Sequence, residues 1–148
     1  MIRATRIIHS HDGAADTITL DYEGRFKRRV AMQTDQGEAF LLDLAKVTDM
    51  RAGDYLVLED GRHIEIRAAS EALLKITADD THHLIRLTWH IGNRHLPCEI
   101  LSDHLLIQRD HVIAEMIKHL GGRVEQVEQP FTPEGGAYGQ GRTHSHEH

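Results

Sequence analysis

Histidine dominates the chemistry available to this chain, which carries 13 His and a single Cys. The run Gly92-Asn93-Arg94-His95-Leu96-Pro97 is followed by Asp110-His111-Val112-Ile113, and the chain ends in His144-Ser145-His146-Glu147-His148. Imidazole binds borderline divalent metals such as nickel, copper and zinc, and it stays mostly neutral at pH 7. The pattern therefore suggests a protein that holds such an ion and gives it up again. One ligand would sit at a helix–strand corner, one at a helix start and three on a tail.

Each group has a competing structural reading. His144, His146 and His148 alternate, so neighbouring imidazoles can fold onto one ion. The entropy lost on ordering a tail weakens such a site, which suits a donor of metal. An affinity tag is the plain alternative, but tags are uninterrupted His runs, and Ser145 and Glu147 interrupt this one. His95 follows a helix and precedes Leu96-Pro97, a corner firmer than a tail; alone it reads more readily as a hydrogen-bonded structural residue than as a ligand. One imidazole per chain makes a poor site unless a two-fold dimer brings a second His95 to the axis. His111 sits behind Asp110 at a helix start, whose positive end disfavours the imidazolium and keeps the ring neutral. It reads as a ligand or as a solvated first-turn residue. His83 and His90 edge one helix face, and His9 and His11 repeat the i, i+2 spacing but read as solvated. His63, His82, His104 and His119 have no partner that spacing identifies.

Two regions must position these residues. Up to about residue 70 the chain reads as short alternating strands, at Thr17–Leu20, Arg29–Met32, Ala39–Leu42, Tyr55–Leu58 and His63–Ile66. Turn signals such as Gln36-Gly37 and Asp60-Gly61 separate them, as in a small antiparallel β unit. Leu56–Leu58 and His63–Ile66 predict a hairpin in which Asp60-Gly61 supplies the positive φ. Beyond residue 70, Leu73–Thr77 predicts a strand and Asp79 or Asp80 a helix cap. Leu84, Leu87 and Ile91 then share one helix face, and Gly92-Asn93 ends it. Short strands at Cys98–Leu101 and Leu105–Gln108 follow, then a helix capped by Asp110 with Val112, Ile113, Met116, Ile117 and Leu120 as its stripe. Gly121-Gly122 closes that helix, and Arg123–Gln129 is the last strand. The expectation is an α+β chain with a β-rich domain over 1–70, a ferredoxin-like βαββαβ domain over 71–133 and a flexible His-containing tail over 134–148.

Composition excludes several functions. A net charge of −6 and 5% aromatic residues offer neither the basic footprint nor the stacking platforms of a nucleic-acid binder. No apolar run approaches the ~20 residues that span a bilayer, and no secretory leader is seen, so a cytoplasmic protein is expected. His-Glu-x-x-His, phosphate-loop and Gly-x-Ser-x-Gly signatures are missing, and Cys98 reads as a small core residue, so no enzyme is expected. A ferredoxin-like hydrolase would need Asn and Arg before its first helix, whereas Asn93 and Arg94 follow it.

The Gly92-Asn93-Arg94-His95 motif, Asp110-His111-Val112 beyond it, the ending Gln129-Pro130-Phe131-x-Pro133-Glu134 with Gly136-Ala137-Tyr138, and the His-bearing tail resemble the urease accessory protein E family. The likeness covers the second half strongly and the first half by size and β character. It implies a homodimeric nickel metallochaperone that loads apo-urease alongside other urease accessory proteins, including a GTPase. It implies a peptide-binding-like N-terminal domain and a ferredoxin-like domain that dimerises. It places the metal on His95, shared across the two-fold, with His144, His146 or His148 completing the site; Zn2+ or Cu2+ could occupy the same imidazoles. Where some members carry His-x-His before the second helix, this chain has Arg109-Asp110-His111, which weakens a separate site at His111. A metal buffer or sensor with no protein client is the rival reading.

Overall fold

Phe40, Leu42 and Leu44 are apolar at every second position and all buried, as in a strand that lays one face on a core. The computed structural model describes residues 1–136 and Arg142. It divides the chain into one unit of Met1–Ala69 and another that begins at Ser70. The first unit holds β1 (Arg3–Ile8), β2 (Asp16–Leu20), β3 (Phe26–Gln33), β4 (Ala39–Asp49), β5 (Tyr55–Leu58) and β6 (His63–Ala68). They form one sheet in the order β2-β6-β5-β1-β4-β3, with Ala4, Ile18, Leu56, Ile64 and Ile66 joining the β4 residues in its core.

The predicted hairpin is present. Leu56 lies opposite Ile64 across antiparallel β5 and β6, and Gly61 adopts φ 90° in the turn between them. β1–β5 and β3–β4 are antiparallel as well, but two pairings depart from the antiparallel expectation, because β1 runs parallel to β4 and β2 runs parallel to β6. Both pairings join strands far apart in sequence, whereas turn residues encode only local reversals. Strand β1 is absent from the strands predicted by alternation. A register shift between Ala4 and Arg6 against β5 breaks its two-residue period, although Ala4 is fully buried.

The second unit contains β7 (Ser70–Thr77), α1 (Thr81–Asn93), β8 (Glu99–Ile100), β9 (Leu105–Gln108), α2 (His111–His119) and β10 (Arg123–Pro130). Its strands lie in the order β10-β7-β9-β8, every neighbouring pair antiparallel. This is the ferredoxin-like arrangement. Leu84, Leu87 and Ile91 of α1 and Ile113 and Ile117 of α2 share a core with Leu74, Ile76, Leu105 and Ile107 of the sheet. Each such fully buried side chain contributes about 1.5–3 kcal/mol.

Helix starts follow the predicted caps. Asp80 accepts a hydrogen bond from the His83 amide at 2.8 Å, and Asp110 accepts one from the Ile113 amide at 3.0 Å. Val112 leaves the predicted α2 stripe and is 69% exposed. At the far end of α2, a Cβ on Gly122 would lie 2.7 Å from Ile117 Cγ2 and 2.8 Å from Leu87 Cδ1. Glycine is required there by the closeness of the two helices. The His83 ring also ties them: its Nε2 meets the Leu120 carbonyl at 2.8 Å while Nδ1 accepts from the Asp79 amide at 3.1 Å. With both nitrogens engaged, His83 is a structural pin.

Candidate metal site

The end of α1 builds the corner that presents His95. The Arg94 amide donates to the Ile91 carbonyl and the His95 amide to the Gly92 carbonyl, both at 3.0 Å. His95 then takes φ 57°. The helix ends at Asn93, as the Gly92-Asn93 signal predicts, and the left-handed residue two positions on is His95. Helices commonly end on a left-handed residue at this point, and it is usually glycine. Among the described residues, His95 is the only non-glycine with positive φ. Such a conformation costs a residue with a Cβ on the order of 1–2 kcal/mol. The strained residue carries an exposed side chain at the end of a well-packed helix.

The chain after β10 returns to this corner. Phe131 is fully buried, the Thr132 amide donates to Glu99 Oε1 at 2.8 Å, and the Glu134 amide donates to the Cys98 carbonyl at 3.0 Å. The root of the tail thus runs beside the segment that leaves His95. Burial, with Glu134 and Glu99 adding negative potential, pushes the Cys98 thiol up to about 12. A thiol this reluctant to ionise is a poor nucleophile at neutral pH, and the exposed side chain at the corner is the His95 imidazole.

His111 is the exposed first residue of α2. Leu96 and Pro97, next to His95, line one depression with Arg109 and Asp110, next to His111. Position 109 is engaged structurally: the Arg109 guanidinium donates to the Leu73 carbonyl at 3.2 Å and the Val127 carbonyl at 3.0 Å, bracing β7 and β10. Among the described residues, no three His, Cys, Asp or Glu side chains are gathered to hold an ion. The structure therefore does not bring His95 and His111 together with a third ligand. His144, His146 and His148 lie outside the described residues.

An apolar patch accompanies the corner. Ile85 and Trp89, four residues apart on α1, are 61% and 63% exposed, and Ile100 on β8 is 48% exposed. They line a groove with Leu84, Thr88 and Leu101. The spacing of Ile85 and Trp89 was visible in the sequence, on a helix face adjoining the buried Leu84-Leu87-Ile91 stripe. Four of the histidines read as solvated or unpartnered do have partners: His9 reaches Asp54, His11 stacks on His63, and His104 meets Asp103.

Comparison with known proteins sets the class first. Residues 71–148 match the family model described as UreE urease accessory protein, C-terminal domain, and residues 1–69 match that of its N-terminal domain. The class is an accessory chaperone, not an enzyme. Proteins named urease accessory protein UreE from a Bradyrhizobium species and from Ruegeria pomeroyi are each 56% identical, over 95% and 91% of this chain and 69% and 89% of their own lengths. The one from Rhodobacter capsulatus is 51% identical over 100% of this chain and 94% of its own length. The chain belongs to the UreE urease accessory protein family, and its role lies in urease maturation. No helix among the described residues is long and apolar enough to cross a membrane.

Proposed function

We propose that the chain is a cytoplasmic nickel metallochaperone that binds Ni2+ through His95 at the two-fold of a homodimer and delivers it to apo-urease. The observation that carries this reading is the left-handed backbone at His95. A strained non-glycine at a helix terminus persists where its side chain has a use. The apolar patch supports the dimer. Exposed Ile85 and Trp89 lie on the helix that ends at the corner, roughly 12 Å or less from it along the axis at 1.5 Å per residue. A second copy covering that patch would bring two His95 residues toward one axis and double the ligand count.

The tail supplies the remaining ligands in this reading. Glu134 is fixed beside Cys98, and Arg142, two positions before His144, bridges to the neighbouring Gly135. At most ~3.3–3.6 Å per residue, the six positions from Arg142 to His148 reach about 20 Å, and in this reading His144, His146 or His148 meets an ion at His95. His111 is a secondary ligand at most, because Arg109 is committed to β7 and β10. Zn2+ and Cu2+ fit the same imidazoles, so transfer to urease and to its accessory proteins, the GTPase among them, selects nickel in function rather than by affinity.

Nickel titration of the purified chain, read together with light scattering, tests the proposal. A dimer that binds Ni2+ tightly and loses that binding with His95→Gly is expected. A monomer at micromolar concentration with and without metal refutes the shared site. Tight nickel binding without transfer to apo-urease would favour the buffer or sensor reading.

A further inference from the structure

The geometry points to a second, weaker site for a divalent transition metal on the first unit, formed by the imidazoles of His11 and His63 with His9 beside them. Three separate stretches converge there. The loop after β1 carries His9 and His11, β5 begins with Tyr55 just after Asp54, and β6 begins with His63. The loop is held against β6 by the Ala15 amide donating to the His63 carbonyl at 2.9 Å. The His11 ring then lies 3.6 Å from that of His63 at 14°, and meets Tyr55 edge-on at 5.8 Å.

Hydrogen bonds choose the tautomers that a metal needs. His11 Nδ1 lies 2.8 Å from the Gly13 carbonyl, which only accepts, so Nδ1 carries the proton. His9 Nδ1 lies 3.0 Å from Oδ1 of Asp54, whose residue is 5% exposed and whose other oxygen accepts from the Arg51 amide at 2.8 Å. In both rings the lone pair is left on Nε2. Anchoring one ring nitrogen to a carbonyl or carboxylate while the other faces out is how proteins orient metal-binding histidines. Stacked rings carry their lone pairs in nearly parallel planes, so one ring must turn before both bind a single ion. His11 is exposed, and rotation of an exposed side chain takes picoseconds to nanoseconds. Two imidazoles plus water make an exchangeable site, consistent with there being no gathered third ligand among the described residues.

Paramagnetic Ni2+ added to the full chain labelled with 15N-histidine tests this site. The ring resonances of His11 and His63 should broaden together at metal concentrations above those that fill the tightest site. His63→Ala should weaken the broadening at His11 at least tenfold, with unchanged amide shifts elsewhere showing that the sheet is intact. The His95→Gly chain should keep the effect, so its outcome is independent of the reading of His95. Rings that stay sharp in the wild-type chain at excess nickel, or His11 broadening that is unaltered by His63→Ala, would overturn the proposal and leave the pair a stacking contact.

Discussion

Replacing His95 by glycine and by alanine separates what the backbone needs at this corner from what the metal needs. At φ 57° a residue with a Cβ is disfavoured by about 1–2 kcal/mol relative to glycine. Glycine gives back about 0.4–1 kcal/mol through its greater freedom in the unfolded chain. His95→Gly should therefore be more stable than His95→Ala by about 1 kcal/mol. For a unit of this size that is a difference of roughly 4–8 °C in midpoint if it unfolds on its own. Both variants remove the ligand equally. Loss of an outer-shell partner alone typically costs 10–100-fold in metal affinity, so loss of the ligand itself should exceed about 100-fold. Calorimetric unfolding of the metal-free proteins and nickel titration calorimetry check the two halves. If alanine equals or exceeds glycine in stability, the corner is not strained. If either variant keeps wild-type nickel affinity, the strain at His95 serves some other purpose.

Deleting residues 143–148 should lower nickel capacity or affinity and leave the unfolding midpoint within about 1 °C, measured by titration and calorimetry; unchanged binding would make the tail histidines bystanders. Trp89→Glu should shift the chain toward monomer in sedimentation velocity while altering monomer stability by no more than about 0.5 kcal/mol, because Trp89 is 63% exposed; an intact dimer places the interface elsewhere. With its thiol pushed up to about 12 by burial, Cys98 should react with a thiol reagent at pH 8 about three orders of magnitude more slowly than a free cysteine; full labelling within minutes of mixing would refute that burial. Nickel binding should weaken from pH 7.5 to pH 5.5, because metal and protons compete for the same imidazole lone pair; equal affinity at the two pH values would exclude histidine ligands.

Local signals in the sequence carried most of the second unit and little of the first unit's pairing. Asp80 and Asp110 cap the helices as predicted, and Leu84, Leu87 and Ile91 bury as their spacing requires. These features depend on neighbours three or four residues away. The Gly61 hairpin is legible for the same reason. The pairing of β1 with β4 is not, since it depends on which distant strand offers a matching edge. Val112 shows the limit of periodicity within a short helix, where one apolar residue stands just off the buried stripe. His95 was legible as a residue but not as a conformation. Gly92 and Asn93 mark the helix end correctly, but both are better suited to positive φ than histidine, so nothing local points to His95 as the left-handed residue. The partner of His11 was hidden in the same way as the partner of β1, because β6 lies more than fifty residues downstream.

The position of the strain bears on release as well as on binding. A carrier must hold nickel against water and still yield it to urease, so a site with every ligand fixed in advance would bind too well. In the proposed arrangement one imidazole per chain is fixed at the end of a packed helix, and its counterparts come from a second copy and from a tail rooted at Glu134. Forming the full site then requires both dimerisation and the ordering of a tail, each of which lowers the net affinity through lost freedom. Removing the tail ligand returns the ion to the His95 pair alone, which an acceptor with more fixed ligands can outcompete. On this proposal the corner fixes where the ion loads, and ligands that must be gathered from a second copy and the chain end leave it open to transfer.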